Sequence, residues 1–208
     1  MILVGQYDSP YTRRVAISLM VLGLPYSHDT RSVFGDFDSM RTTNPLGRIP
    51  SLILDGGEVL IDSAAILDHL DETVGPERAL LPPKGAARRQ ALQRIALANG
   101  AVDKIGGGRN YETMIRPSRY RWPDWIERCT TQGLAALAAL DALDWPGAGP
   151  LDQAQITTGC AVDYIAVTAP DLMPAGRYPT LDRLLARLRE RPEFRATSWT
   201  SYAVPRAD

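Results

Sequence analysis

The sequence predicts an α+β unit ordered βαβ-ββα, followed by an all-helical domain, and three observations carry that prediction. Short apolar runs alternate with helical periodicity through the first third of the chain. The strand signal then stops at a proline-rich stretch, "PERALLPPKG" at 76 to 85. Beyond it every strong pattern has the helical period.

Met1 to Gly5 is an apolar run bounded by a glycine, which reads as a buried strand. After Pro10, residues Val15, Leu19 and Leu22 recur on one helical face until Gly23 stops the helix. Pro25 to Thr30 fits a second strand, whereas "FGDFDSMRTTNPLG" at 34 to 47 has neither period and reads as loop with a turn of helix. Ser51 to Leu54 and Glu58 to Ile61 flank Asp55-Gly56-Gly57, the signature of a tight hairpin. Ser63 opens a helix with Ile66, Leu67, Leu70 and Val74 on its inner side. The expected domain limits are therefore 1 to 78, a linker at 79 to 86, and a helical domain from 87 to 208.

In the second part, Ala86 to about Ala101 is helical, and Pro123 to Leu143 is a long helix with proline at its start. Leu134, Leu137, Leu140 and Leu143 spread over half its circumference, so it is expected to be the central helix. Asp152 to Thr168 follows, with Asp152 and Gln155 spaced as a variant capping box, and then Pro179 to Arg191.

Composition narrows the function. The 208 residues are 45% hydrophobic and 23% charged, the balance of an ordinary globular protein. With 23 Lys+Arg against 24 Asp+Glu, the net charge of -1 draws the chain to neither nucleic acid nor an anionic membrane. The N-terminus lacks a basic n-region and meets Asp8, so a cytoplasmic address is expected. The only cysteines, Cys129 and Cys160, lie far apart in helical patterns, which favours buried free thiols. With only His28 and His69 besides, no locally spaced ligand pair exists and no metal is expected.

Ser9-Pro10-Tyr11-Thr12 has the outline of a Cys-x-x-Cys redox loop with both sulfurs replaced by hydroxyls. Ser at N-cap before Pro at N1 is a common helix start, with the hydroxyl accepting a free N–H. The same position lets Ser9 donate to a ligand anion, because exposed N–H groups and the positive helix end favour a thiolate there. Asp62-Ser63 offers the same choice at the next helix: Ser63 can cap it, or its hydroxyl and the free N–H groups can bind a carboxylate. Arg48 by itself reads as a solvated loop arginine. The segment "GGGRNYETMIRPSRYRWPDW" at 106 to 125 interleaves arginines with aromatics, as single-strand nucleic-acid binders do, but the net charge argues against that use. Its other reading is a loop whose aromatics pack on neighbouring helices.

"SPYTRRVAI" at 9 to 17, "NPLGRIPSL" at 44 to 52 and "IDSAAILDHL" at 61 to 70, in this order before a helical domain, resemble the glutathione transferase family. "YPTLDRLLARLRERPEF" at 178 to 194 resembles its last helix pair, so the likeness spans nearly the whole chain. The resemblance implies a thioredoxin-like first domain. It implies that Pro50 is cis and that the backbone of Ile49 pairs with the tripeptide glutathione, with Arg48 facing its glycine carboxylate. Asp62 stands where relatives usually carry Glu for the γ-glutamyl ammonium, and Ser63 would take the γ-glutamyl carboxylate. Tyr11, Tyr111 and Trp122 are the implied walls of a second-substrate pocket. Ser9 would stabilise the glutathione thiolate for attack on a hydrophobic electrophile, as in detoxification, and the assembly would be a homodimer.

Lowering a free thiol pKa from about 8.5 by two units takes about 2.7 kcal/mol, within reach of one charge-assisted hydrogen bond plus the helix dipole. Two other functions remain open. One is a non-catalytic binding or regulatory module on the same fold. The other is a glutathione-dependent reductase or peroxidase, restricted to chemistry that needs no protein dithiol because positions 9 and 12 hold no cysteine.

Overall fold

A four-stranded sheet carries the first part of the chain in the computed structural model, which describes residues 1–147 and 149–199. The last stretch of the expected helical domain, residues 200–208, lies outside the described residues. The elements run β1 (Ile2–Val4), α1 (Pro10–Leu22), β2 (Ser27–Asp29), α2 (Phe37–Thr43), β3 (Ser51–Ile53), β4 (Val59–Ile61) and α3 (Ser63–Val74). The sheet order is β2-β1-β3-β4, with β1 parallel to β2 and the other two pairings antiparallel. Leu3 lies between His28 and Leu52 in register and is fully buried. This is the thioredoxin-like arrangement, and it brings the chain out of β1 directly into the N-terminus of α1.

The stretch read as loop at 34 to 47 contains α2, seven residues held by little more than buried Met40. One apolar anchor in seven residues leaves no period to detect. Proline opens α1, and its last turn closes on Gly23 in the left-handed conformation.

From Gly85 on, every described element is helical: α4 (Gly85–Val102), a π-helical continuation (Asp103–Ile115), α5 (Pro123–Asp141), α6 (Gln153–Thr168), α7 (Pro179–Arg189) and α8 (Pro192–Ala196), with short 3₁₀ turns between. Two expectations are corrected here. The central helix is α6, not α5: every residue from Gln153 to Ile165 is buried, whereas α5 buries only a stripe of Cys129, Gly133, Leu137 and Leu140. α6 is enclosed on all sides although Gln153, Gln155, Thr157, Thr158 and Asp163 are among its buried residues, so no apolar stripe marked it in the sequence, and leucine content in α5 was the weaker signal. Secondly, the three glycines at 106 to 108 do not break the chain into loop. They sit inside the π-helical run because a Cβ at Gly106 would lie 2.7 Å from the Tyr164 hydroxyl, and one at Gly108 would lie 2.5 Å from Cys129 Sγ. Gly106 and Gly108 admit close neighbours, which outweighs their poor helix propensity. The variant capping box is present, with Gln155 N–H donating to Asp152 Oδ1 at 2.7 Å and Asp152 N–H donating to Gln155 Oε1 at 3.2 Å.

Candidate active site

The end of β1 and the start of α1 fix Ser9. Its backbone is extended, and its Oγ accepts the Thr12 N–H at 3.3 Å, so it caps the helix. A hydroxyl that accepts one N–H keeps its own proton to donate, so capping and donation to a ligand are compatible. Thr12, at the other end of the tetrapeptide, is fully buried, and its Oγ1 has no hydrogen-bond partner among the described residues. Gly5 supports this corner: at φ +130°, a Cβ there would lie 2.7 Å from both Ile49 Cβ and Thr12 Oγ1. Only glycine lets the loop before β3 approach α1 so closely.

Ser9 lines a cavity of about 490 Å³. Its apolar wall includes Phe34 and Phe37 from the loop and α2, Tyr111 from the π-helical run, and Tyr164 from α6. The Phe34 and Tyr111 rings meet edge to face at 6.2 Å. Its charged lining residues are Asp8, Arg48 and Asp103. Burial raises the Tyr111 pKa, Asp8 pushes it the same way, and Arg48 opposes them.

A second cavity of about 180 Å³ adjoins it and shares Tyr11, Arg48, Ile49 and Asp103 with it. Arg14, Asn44, Asp62, Ser63 and Asn99 complete its polar side, and Pro50 and Ala64 also line it. The Ile49–Pro50 peptide is cis. Asp62 has φ 67°, a conformation that costs a non-glycine residue on the order of 1–3 kcal/mol and that clusters at functional sites.

The choice left open at this helix resolves against Ser63 as cap. Asp62 is the N-cap and accepts the Ala64 N–H at 2.8 Å. The Ser63 hydroxyl is instead buried and accepts from Arg14, through Nε at 3.2 Å and Nη2 at 2.6 Å. Across the cleft Tyr11 donates its hydroxyl to Asp103, and burial first and Asp103 second push its pKa far above the ordinary phenol value. Burial lowers the Arg14 pKa.

Ser9, Tyr11, Arg48, Ile49, Pro50, Asp62, Ser63 and Tyr111 thus all line this pair of cavities. Trp122 lines neither; it is 60% exposed and stacks on Trp125 at 6.3 Å. Sequence reasoning missed Asp103, Asn99, Arg14 and Tyr164. The first two reach the site only because α4 and α1 both pack against α6, which leaves no local signature. Arg14 did leave one, an Arg pair inside an otherwise apolar helix. Both cysteines are free and buried, and burial pushes the Cys160 thiol up to about 12, so neither supplies a reactive sulfur. Among the described residues no helix is long and apolar enough to cross a membrane, and no group of three or more His, Cys, Asp or Glu is placed to hold a metal.

Residues 3–78 match the family model of the glutathione S-transferase N-terminal domain. A glutathione transferase family member from Pseudomonas fluorescens Pf-5, solved with bound glutathione, is 32% identical, with a TM-score of 0.82 over 94% of this chain and 97% of that one. A glutathione S-transferase from Methylobacterium radiotolerans in complex with glutathione sulfonate is 27% identical, with a TM-score of 0.88 over 100% and 99% of the two chains. A probable maleylacetoacetate isomerase from Vibrio cholerae is 30% identical over 93% of each chain. With this sequence identity across its length and the fold shared with such structures, the chain belongs to the glutathione transferase family of enzymes.

Proposed function

We propose that the protein binds glutathione along the smaller cavity with its sulfur at Ser9, and transfers it to a hydrophobic electrophile held in the larger one. The observation that carries this reading is the junction of the two cavities. A polar cavity at one helix N-terminus opens onto an aromatic cavity at another, and Ser9 stands on the second with a donatable proton. The γ-glutamyl end would lie at Asp62 and Ser63, the cysteinyl backbone at Ile49, and the glycine carboxylate at Arg48, which forms no ion pair among the described residues. Ser9 and the α1 N-terminus favour the thiolate over the thiol, whose proton leaves to solvent. The thiolate then forms the new C–S bond as a leaving anion departs, or as an activated double bond takes up a proton from solvent. Homodimeric assembly, carried by the family resemblance, belongs to the same proposal, as does a cytoplasmic location.

Ser9→Ala tests the chemistry. The rate with an aryl halide is expected to fall about 10²-fold at neutral pH, the scale of losing one donor to a developing anion. Its pH–rate midpoint should move up toward the free thiol value of about 8.5. Full activity with an unmoved midpoint would remove Ser9 from this role.

A second reading is favoured by a relative's name: a glutathione-dependent isomerase like the probable maleylacetoacetate isomerase of Vibrio cholerae. The two acids among three charged residues in the larger cavity weigh against an anionic substrate in this chain. Direct assay of isomerisation separates the two.

A further inference from the structure

The chain leaves β1 at Gly5, whose φ of +130° turns the peptide out of the sheet. Its N–H donates to the Asp29 carbonyl of β2 at 2.8 Å, and its own carbonyl meets a side chain, His28 Nε2, at 2.7 Å. A ring nitrogen that faces a carbonyl oxygen carries the proton and donates it. The His28 ring also lies flat against Tyr7, with centroids 4.0 Å and planes 12° apart, and the Tyr7 hydroxyl shares a hydrogen bond of 2.9 Å with that of Tyr26. One side chain of the edge strand β2 thus holds the β1–α1 loop at two points.

These holds lie behind the candidate active site. Of the residues between Gly5 and Ser9, Gln6 and Asp8 line the larger cavity, whereas Tyr7 lines neither cavity and is half-buried against His28. The loop therefore shows one face to a ligand and is gripped by the other. Its own hydrogen bonds are long ones: Ser9 N–H to the Gln6 carbonyl and Thr12 N–H to Ser9 Oγ are both 3.3 Å, against an ordinary length of about 3.0 Å. Ordering a loop costs conformational entropy, so contacts from outside it are needed to keep it in one shape.

We propose that His28 is a positioning residue: by donating to Gly5 and stacking on Tyr7 it fixes the β1–α1 loop, and with it the direction of the Ser9 hydroxyl. A preorganised donor stabilises an anion only when distance and angle are right, so a loosened loop weakens Ser9 without removing it. His28 itself lines neither cavity. The effect on rate rests on the thiolate role proposed for Ser9; the effect on the loop does not.

His28→Phe keeps an aromatic ring on Tyr7 and removes the donor to Gly5, while His28→Gln restores an amide donor of similar reach. Amide exchange across residues 5–12 of the ligand-free chain, followed by mass spectrometry, is expected to be about tenfold faster in His28→Phe, with α3 and the helical part unchanged and His28→Gln in between. His28→Ala takes its place if that variant does not fold. With an aryl halide, His28→Phe should lower kcat about tenfold, leave the glutathione KM within about twofold, and move the pH–rate midpoint toward that of Ser9→Ala. Added to Ser9→Ala, it should lower the rate no further, because it acts through that hydroxyl. An equal fall in both backgrounds marks a merely structural histidine and overturns the proposal, as does unchanged exchange. If Ser9→Ala leaves rate and midpoint untouched, the thiolate reading falls and exchange alone decides: faster exchange in His28→Phe upholds the anchor of the loop, and unchanged exchange overturns it.

Discussion

Arg13 and Arg14 are adjacent on α1, and each is 2% exposed, yet their surroundings differ in kind. Arg13 points toward α6 and α8, where it donates to Asp163, to Thr197 Oγ1 at 3.2 Å and to the Phe194 carbonyl at 3.2 Å. Its guanidinium lies 5.3 Å from the centre of the Phe194 ring, and Asp163 is held in turn by Arg189. Charge, hydrogen bonds and packing are all closed within the chain. Arg14 turns toward the cleft and finds only neutral partners, Ser63 and Asn99. Burial alone therefore does not separate a cation closed within the chain from one that faces a cleft; the sign of what faces it does.

The largest expected break of this comparison is in stability. Arg13→Ala leaves Asp163 buried with only the half-exposed Arg189 to face it, so a loss of about 3–5 kcal/mol is expected. Arg14→Gln removes a charge that has no internal anion, so it should cost less than half as much. Urea denaturation of both variants without ligand measures the difference. Equal losses would mean that the two arginines are structural in the same sense.

That contrast also shows what the sequence could reveal. The strands, the helix starts at Pro10 and Pro123 and the capping box at Asp152 are written in local periods and cap residues, and they were legible. Ser9, Pro50 and Ser63 were legible because each sits inside a short motif at a helix or strand boundary. The partners of Arg13 and Arg14 were not. Asp163 is 150 residues from Arg13, and Asn99 is 85 from Arg14, so only the packing of helices decides which arginine meets an acid. The glycines at 106 to 108 misled for the same reason. Gly106 and Gly108 are justified by Tyr164 and Cys129, which arrive from other helices.

The aromatic cavity sharpens the comparison, because its wall is close-packed where the Arg14 side is open to a ligand. Gly106→Val would place a side chain against buried Tyr164, whose ring atom Cε1 lies only 3.0 Å from an added Cβ. A loss of about 1–3 kcal/mol from overpacking is expected. Folded protein should turn over bulky electrophiles more slowly while retaining its glutathione affinity in calorimetry. A parallel loss of glutathione affinity would show that the two cavities do not divide the work.

A smaller effect follows from charge. Asp8 and Asp103 line the larger cavity against one arginine, whereas the smaller cavity adds Arg14. A carboxylate on the electrophile should therefore lower the rate enhancement by roughly fivefold relative to the neutral parent, an interaction of about 1 kcal/mol between partly solvated charges. Each rate is compared with its own uncatalysed reaction, so intrinsic reactivity drops out. Asp8→Asn should narrow the gap. A preference for the carboxylate would reverse the assignment of the larger cavity and favour the isomerase reading.

The least effect is expected from removing the hydroxyl nearest to Ser9 along the motif. Tyr11 lines both cavities and could be taken for the group that activates a thiol. Its proton, however, is committed to Asp103, and burial together with that acid raises its pKa further above an already high value. A raised phenol pKa means that Tyr11 stays protonated below about pH 10, so it adds no ionisation to a rate profile measured up to about pH 9. Tyr11→Phe should therefore leave the pH–rate midpoint in place, while Ser9→Ala moves it upward. If the midpoint moved in Tyr11→Phe and stayed in Ser9→Ala, the donor to the thiolate would be the phenol, and Ser9 would be only the cap of α1.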